Sequence, residues 1–274
     1  MKNELRISFI GSGNMATALI GGLAGKLTPA ENIHVVGRNA DALQKLHRQF
    51  GVAVAQNIDE TIRSSDVVVL AVKPQQMKPV VAQLHPYLST QLILSVAAGI
   101  RAADLSRWLN GYKAIVRTMP NTPALIGKGM TGMAAMEGVS QQQRDAAEAI
   151  MGAVGETLWL DDEMLIDPVT AVSGSGPAYV FYFIEAMQQA AQEMGLSAEQ
   201  GTQLAIATFA GAAQLAAQSA DPVSVLRERV TSKGGTTHAA LTSMESDGVK
   251  AAIVKALKAA AARGRELGEE LGRD

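Results

Sequence analysis

The stretch Leu5 to Ala18, LRISFIGSGNMATA, constrains the fold more than any other part of the chain. Leu5, Ile7, Phe9 and Ile10 form a short apolar run with the branched and aromatic residues of a buried strand. Gly11-Ser12-Gly13-Asn14-Met15-Ala16 then fits the pattern G-x-G-x-x-G/A, and Thr17 to Leu23 reads on as helix. In such a turn the first glycine permits a tight reversal and the second lets the backbone approach a pyrophosphate. The small third residue lets helix pack on strand, and the free N–H groups at the helix start face the anion. Glycine turns also occur for packing alone. This one follows a strand and opens a helix, which favours dinucleotide binding.

The segments that follow repeat the theme. Ile33 to Val36 reads as a second strand ending in Gly37-Arg38-Asn39, where an NAD-specific site usually places an acid for the ribose hydroxyls. Glu31 precedes that strand and Asp41 begins the next helix, so no acid stands at its end. Arg38 can instead meet a 2′-phosphate through a charge-assisted fork, which favours NADP. A helix over Asp41 to Phe50 precedes Val52-Ala53-Val54, then Asn57 and a polar helix to Ser64. Val67 to Val72 is a continuous branched run, ending in Lys73-Pro74, with a helix from Pro74 to Leu84. Leu92 to Ala97, Ala114 to Met119, Met130 to Ala135 and Thr157 to Leu160 complete the strands, with helices ending at Trp108 and covering Gln141 to Met151. Alternating strands and helices predict a doubly wound parallel sheet, whose ligands sit beyond the carboxyl ends of the strands. The candidates there are Gly11 to Met15, Arg38, Asn57, Lys73-Pro74, Ala97-Ala98 and Asn121. Lys73 reads equally as a surface lysine, a phosphate contact or a general acid.

No strand-like run appears after Leu160, so the expected domains are 1–160 and 161–274. Met164 to Val172, Pro177 to Glu193, Ala198 to Gln218, Pro222 to Val230 and Ala239 to the end read as helices. Pro177 suits a first helical position after Ser173-Gly174-Ser175-Gly176, and Ser197 suits an N-cap. These helices are rich in alanine and poor in bulky side chains. They therefore predict packing against a second copy rather than a monomeric bundle. Thr231-Ser232-Lys233-Gly234-Gly235-Thr236-Thr237-His238 sets two glycines among hydroxyls before a helix, which is either an N-cap turn or a nest of N–H groups for an anion.

Composition excludes several classes of function. The chain has 274 residues, no cysteine and a net charge of −2, so it has neither disulfides nor thiol chemistry, and no basic stripe for nucleic acid. His34, His47, His85 and His238 lie far apart, without metal-ligand spacing. The uncharged segments Pro168 to Ile184 and Gly201 to Ala220 are too rich in small and polar residues for a bilayer. The first strand begins within a few residues of Met1, which leaves no room for a signal peptide and predicts a cytoplasmic protein.

Six blocks together resemble one family. They are Phe9-Ile10-Gly11-x-Gly13-Asn14-Met15-Ala16, Ala71-Val72-Lys73-Pro74, Ser95-x-Ala97-Ala98-Gly99, Arg117-x-Met119-Pro120-Asn121-Thr122-Pro123, Ser173-Gly174-Ser175-Gly176-Pro177-Ala178-Tyr179 and Val230-Thr231-Ser232-x-Gly234-Gly235-Thr236-Thr237. Their order and content are similar to those of the pyrroline-5-carboxylate reductases; Lys233 departs, since the family often has proline there. The resemblance implies a Rossmann domain, an all-helical dimerisation domain and often a decamer. It implies reduction of 1-pyrroline-5-carboxylate to L-proline with NADPH, NADH being a possible substitute. Carried across by motif, Ile10, Gly11, Ser12, Gly13, Asn14, Met15, Asn57, Ala71, Val72, Lys73, Pro74, Ala97 and Ala98 would contact cofactor, with Arg38 and Asn39 added from local chemistry. Ser232, Gly234, Gly235, Thr236 and Thr237 would hold the substrate carboxylate, and Thr237 would lie near the ring nitrogen.

Two rivals remain at this level. A β-hydroxy acid dehydrogenase of similar build needs a lysine base in its helical half, and Pro168 to Ala220 contains no lysine. A non-catalytic NADP-binding regulator would need no substrate loop.

Overall fold

The computed structural model describes residues 5–273. Its strands are β1 (Ile7–Ile10), β2 (Ile33–Val36), β3 (Ala53–Ala55), β4 (Val67–Leu70), β5 (Leu92–Ser95), β6 (Ile115–Met119), β7 (Gly129–Ala135) and β8 (Gly155–Trp159). They form one sheet in the order β3-β2-β1-β4-β5-β6-β7-β8. The first six run parallel, with Phe9 level with Val35 and Val69. β7 is antiparallel to β6, and β8 is parallel to β7, so the expected doubly wound sheet is mostly parallel, with one antiparallel pairing. The cause is the connection. β6 and β7 are joined by a short turn holding only a 3-10 segment (Thr122–Ile126), and a parallel return needs a longer crossover.

The helices α1 (Asn14–Leu23), α2 (Ala40–Phe50), α3 (Met77–Leu84), α4 (Ala102–Trp108) and α5 (Gln141–Gly152) pack on the sheet. Alternate strand residues feed two apolar layers. Phe9, Val35, Val69 and Leu94 join Leu19, Leu23 and Met151 on one face. Ile10, Val36, Val68 and Leu70 join Met77, Leu105 and Ile115 on the other. Burial on both faces is why these strands read as continuous apolar runs. The expected helix after Asn57 is only a 3-10 turn over Glu60–Ser64, and the one at Pro74 opens as a 3-10 turn over Pro74–Gln76 before α3 carries it to Leu84.

Beyond the sheet, a 3-10 turn (Glu163–Leu165), α6 (Ile166–Val169) and a π-turn (Thr170–Gly174) replace the single helix expected over Met164 to Val172. Then come α7 (Gly176–Glu193), α8 (Ala198–Gln218), α9 (Val223–Arg229), α10 (Thr236–Ser246) and α11 (Val249–Leu271). Two compact units result. The described residues up to Ser175 and from Ala260 onward form the first, and Gly176–Ala259 forms the second. α11 therefore starts in one unit and ends in the other.

Within the second unit α7 and α8 pair closely. A Cβ on Gly201 would lie 3.0 Å from that of Ala191, Gln188 Nε2 donates to Thr202 Oγ1 at 3.1 Å, and the Phe183 and Phe209 rings are 6.4 Å apart. Little else is buried: Ala191 in α7, Gly201 and Ala205 in α8, and no residue of α9 or α10. Phe181 and Tyr182 are 60% and 72% exposed, and Leu204, Ile206 and Leu215 are also exposed. Among the described residues no helix is long and apolar enough to cross a membrane.

Candidate active site

Parallel register places the carboxyl ends of six strands along one edge. Ile10 is level with Val36 and Leu70, and Leu70 with Ser95. Backbone bonds then lock the first residues beyond them: Gly11 N–H to Val36 O and Ala71 N–H to Ile10 O, both 2.8 Å, and Val96 N–H to Leu70 O at 3.1 Å. The order of the sheet reverses at β1, whose neighbours are β2 and β4, and a doubly wound sheet binds its ligand at such a switch point.

The glycine turn is built for this edge. Gly11 has φ +117°, and a Cβ there would sit 2.3 Å from Ala71 O and 2.6 Å from Ala71 C, both backbone atoms. Only glycine fits. Gly13 differs: its φ is −82°, and no heavy atom lies within 4 Å of where its Cβ would be. It is the N-cap of α1 and no side chain caps that helix, so the first-turn N–H groups point into an open cradle suited to a pyrophosphate. Ser12 packs against Gly37, where a Cβ would be 2.9 Å from Ser12 Oγ. No acid occurs in the first turn of α1 to oppose an anion.

The other predicted cofactor residues share the edge but not one role. Ile10 is buried in the apolar layer, so only its backbone is available to a ligand. Asn14 is exposed and Met15 half-buried at the start of α1. Arg38 is exposed beyond β2, whereas Asn39 Oδ1 is committed to capping α2, accepting from Ala42 N–H at 3.0 Å. Asn57 is exposed beyond β3. Ala71, Val72 and Pro74 are half-buried beyond β4, and Lys73 is exposed there. Beyond β5, Ala97 is buried and Ala98 exposed.

Asn121 serves a structural function that its sequence position does not reveal. Its Nδ2 donates to Ser173 O at 3.3 Å and to Ser173 Oγ at 3.2 Å, while its Oδ1 accepts from Met130 N–H at 2.9 Å. It thus ties the π-turn to the β6–β7 connection. Arg117, also in that motif block, is 4% exposed, with its guanidinium 3.1 Å from Glu163 and 3.8 Å from Asp167. Glu163 Oε1 also accepts from Ala102 N–H at 2.7 Å. These roles went unread because ion-pair partners 46 or more positions apart leave no local pattern.

The predicted substrate loop lies in the second unit. α10 begins at Thr236, three residues before the expected Ala239, so Thr236 and Thr237 occupy its first turn. Gly235 is an extended N-cap without a side-chain cap, and Gly234 before it has φ +76°. Gly235 N–H bonds Ser232 O at 3.0 Å, closing the loop, and a Cβ on Gly235 would lie 2.6 Å from Ser232 Oγ. No acid stands in the first turn. Gly13 and Gly235 thus present two helix starts of the same kind, each free of a capping side chain and of opposing charge. By contrast Ser140 and Ser197 close α5 and α8 with complete capping boxes. Among the described residues no cluster of His, Cys, Asp and Glu could hold a metal ion.

Residues 163–267 match the family model described as pyrroline-5-carboxylate reductase dimerisation, and residues 6–99 match that of NADP oxidoreductase, coenzyme F420-dependent. A pyrroline-5-carboxylate reductase of Pseudomonas aeruginosa is 47% identical over 97% of this chain and 98% of its own. The structure of such a reductase from Coxiella burnetii is similar with a TM-score of 0.91, at 41% identity over 97% of this chain and 99% of the other. The NADP-bound enzyme of Plasmodium falciparum gives 0.86 at 30% identity, over 98% and 99%. A relationship that runs the full length of both chains, glycine cradle and hydroxyl loop included, means that this chain belongs to the pyrroline-5-carboxylate reductase family.

Proposed function

We infer that the chain reduces 1-pyrroline-5-carboxylate to L-proline at the expense of a reduced nicotinamide nucleotide, the final step of proline synthesis. The near full-length match at 47% identity carries this reading. The Gly13 cradle and the uncapped α10 start are its physical counterparts, one for each anionic ligand.

The roles of individual residues are our own assignment. The backbone of Gly11 to Met15 receives the pyrophosphate, Arg38 the 2′-phosphate, and Asn57, Ala71 to Pro74 and Ala97-Ala98 line the remainder of the cofactor. Asn39 contributes through its main chain or its Nδ2, because its Oδ1 caps α2. Residues 1–160 act as the cofactor domain, and 161–274 as the dimerisation and substrate domain. The N–H groups of the Gly234 to Thr237 loop hold the substrate carboxylate, with Ser232 bracing the loop. The reduced nicotinamide supplies the hydride that adds to the C=N carbon. Everything else is positioning, which the chain performs by fixing two anionic ends. The nitrogen must be hydrogen-bonded or already protonated. With no acid in the first turn of α10, we assign that hydrogen bond to the Thr237 hydroxyl.

The exposed apolar faces of α7 and α8 support pairing with a second copy. A decamer is implied by the family resemblance alone, and a cytoplasmic location is an expectation of the sequence alone.

Two variants test the assignment. Thr237→Val removes one hydrogen bond, about 1–1.5 kcal/mol, and should lower kcat/KM about tenfold. Full activity across the pH range would transfer the role to the protonated imine itself. Arg38→Ala should raise the NADPH KM about ten- to a hundredfold, by loss of a charge-assisted bond of about 1.5–3 kcal/mol, and leave NADH untouched. An equal effect on both nucleotides would remove Arg38 from the 2′-phosphate site.

A further inference from the structure

The C-terminal part of α11 carries Gly264 and Gly268, and Gly272 directly follows its last residue, its N–H bonded to Gly268 O at 3.1 Å; the four-residue spacing sets all three on one face. This face packs within the first unit on Asp167 of α6 and on Arg101 and Asp104 at the start of α4. Gly264 faces Asp167, a Cβ on Gly268 would lie 3.0 Å from Arg101 Nε, and one on Gly272 would meet the Asp104 carboxylate at 2.3 Å. Arg101 Nη2 donates to Arg265 O at 3.3 Å and lies 3.7 Å from Glu269, while Arg107 donates to Gly272 O. Leu271 joins the apolar layer around Ile100 and Leu105.

What this contact covers is the turn that follows β5. Gly99 has φ +75°, and its missing Cβ would be 3.1 Å from Leu271 Cδ1 and 3.5 Å from Leu267 Cβ. Glu163 holds the next residue but two from the other side, through Ala102 N–H at 2.7 Å, and is itself fixed by buried Arg117 at 3.1 Å. Residues 99–102 are thus clamped between the Arg117–Glu163 pair and the end of α11. Ala97 and Ala98 enter the clamp directly from the strand end.

We propose that the last turns of α11, through Leu271 and the glycine face, are a positioning element that fixes the Ala97-Ala98 backbone for the cofactor. This rests on the reading of Ala97 and Ala98 as cofactor contacts. A helical glycine is unfavourable in isolation, and here Gly268, with Gly272 just beyond the helix, allows close approach to the Arg101 guanidinium and the Asp104 carboxylate, whereas Gly264 makes only ordinary contact with Asp167. Leu271 is a positioning residue: it touches the turn, not the ligand.

The test is Leu271→Ala in the full-length enzyme, with Leu271→Met as the conservative variant and Glu270→Gln as a control. Glu270 pairs with Arg263, at 2.8 Å, away from the glycine face. Leu271→Ala should raise the Kd and KM for NADPH about tenfold while leaving kcat at saturation and the KM for the imine unchanged, the pattern of lost uniform binding. Leu271→Met should restore most of the affinity. A lowered melting temperature with unaltered NADPH affinity, or a loss confined to kcat, overturns the inference. Ala98→Glu separates the two readings. If it leaves NADPH affinity intact, the assignment of Ala97-Ala98 fails and the inference falls with it. If it abolishes binding while Leu271→Ala changes nothing, the inference fails alone.

Discussion

Replacing Gly11 and Gly13 by alanine adds the same methyl group two residues apart, and the structure requires opposite outcomes. At Gly11 the φ of +117° is strained for any side chain, costing about 1–3 kcal/mol. The new Cβ would also meet the Ala71 carbonyl at 2.3 Å. That carbonyl belongs to backbone bonded to β1 through Ala71 N–H and Ile10 O, at 2.8 Å, so relief means displacing the β1–β4 seam. Overpacking of this kind costs about 1–3 kcal/mol more. The sum, about 2–6 kcal/mol, is a large part of the 5–15 kcal/mol that holds a typical protein folded. At Gly13 the φ of −82° suits alanine and no atom stands within 4 Å. There the fold should lose only about 0.5 kcal/mol, the difference between glycine and alanine at an N-cap. The methyl instead fills the cradle, and at about 1–3 kcal/mol of overpacking it should weaken NADPH binding about 5- to 150-fold. Guanidinium denaturation read by circular dichroism and NADPH titration read by fluorescence give both quantities for both variants. A Gly11→Ala enzyme as stable as the parent would refute the backbone argument, and a Gly13→Ala enzyme with parental NADPH affinity would refute the cradle.

Two further expectations concern assembly and pH. Because α9 and α10 bury no residue and Phe181 and Tyr182 lie exposed, the wild-type chain should sediment at micromolar concentration as a dimer or a multiple of one, with a melting temperature that rises with concentration; a stable monomer contradicts the pairing. Burial holds the His34 imidazole below its ordinary value of 6.5, only partly offset by the charge of Asp59. The unfolded chain therefore takes up a proton at His34 before the folded one does. Stability is full above pH 6.5 and falls as pH drops from there toward the lowered folded value. His34→Phe should flatten that slope in denaturation midpoints, and an unchanged slope would assign it to other groups.

The elements most legible in the sequence were those with both a strong period and a clear terminus. β2 occupies Ile33–Val36 and α8 occupies Ala198–Gln218, as read, the latter because Ser197 and Gln200 close a capping box. The direction of β7 was not legible, because periodicity is blind to strand polarity and only the shortness of the 120–128 connection decides it. The glycine turn was read from its own chemistry, since every constraint on it lies within a few residues. The capping role of Asn39 could have been read from its place before an acid-led helix. The Arg117–Glu163 pair, the Asn121–Ser173 tie and the return of α11 to the first unit depend on contacts distant in sequence. Of these, the Gly264-x3-Gly268-x3-Gly272 spacing alone left a visible trace, and it points to a packing face without naming what is packed.

The most direct test of the central claim is the loss of NADPH absorbance on adding 1-pyrroline-5-carboxylate, repeated with NADH and with the product resolved by chirality. The account requires oxidation that depends on the imine, one L-proline for each NADPH consumed, and slower turnover with NADH. Tight NADPH binding without imine-dependent oxidation would contradict it, leaving the fold in place and moving the chemistry to another substrate.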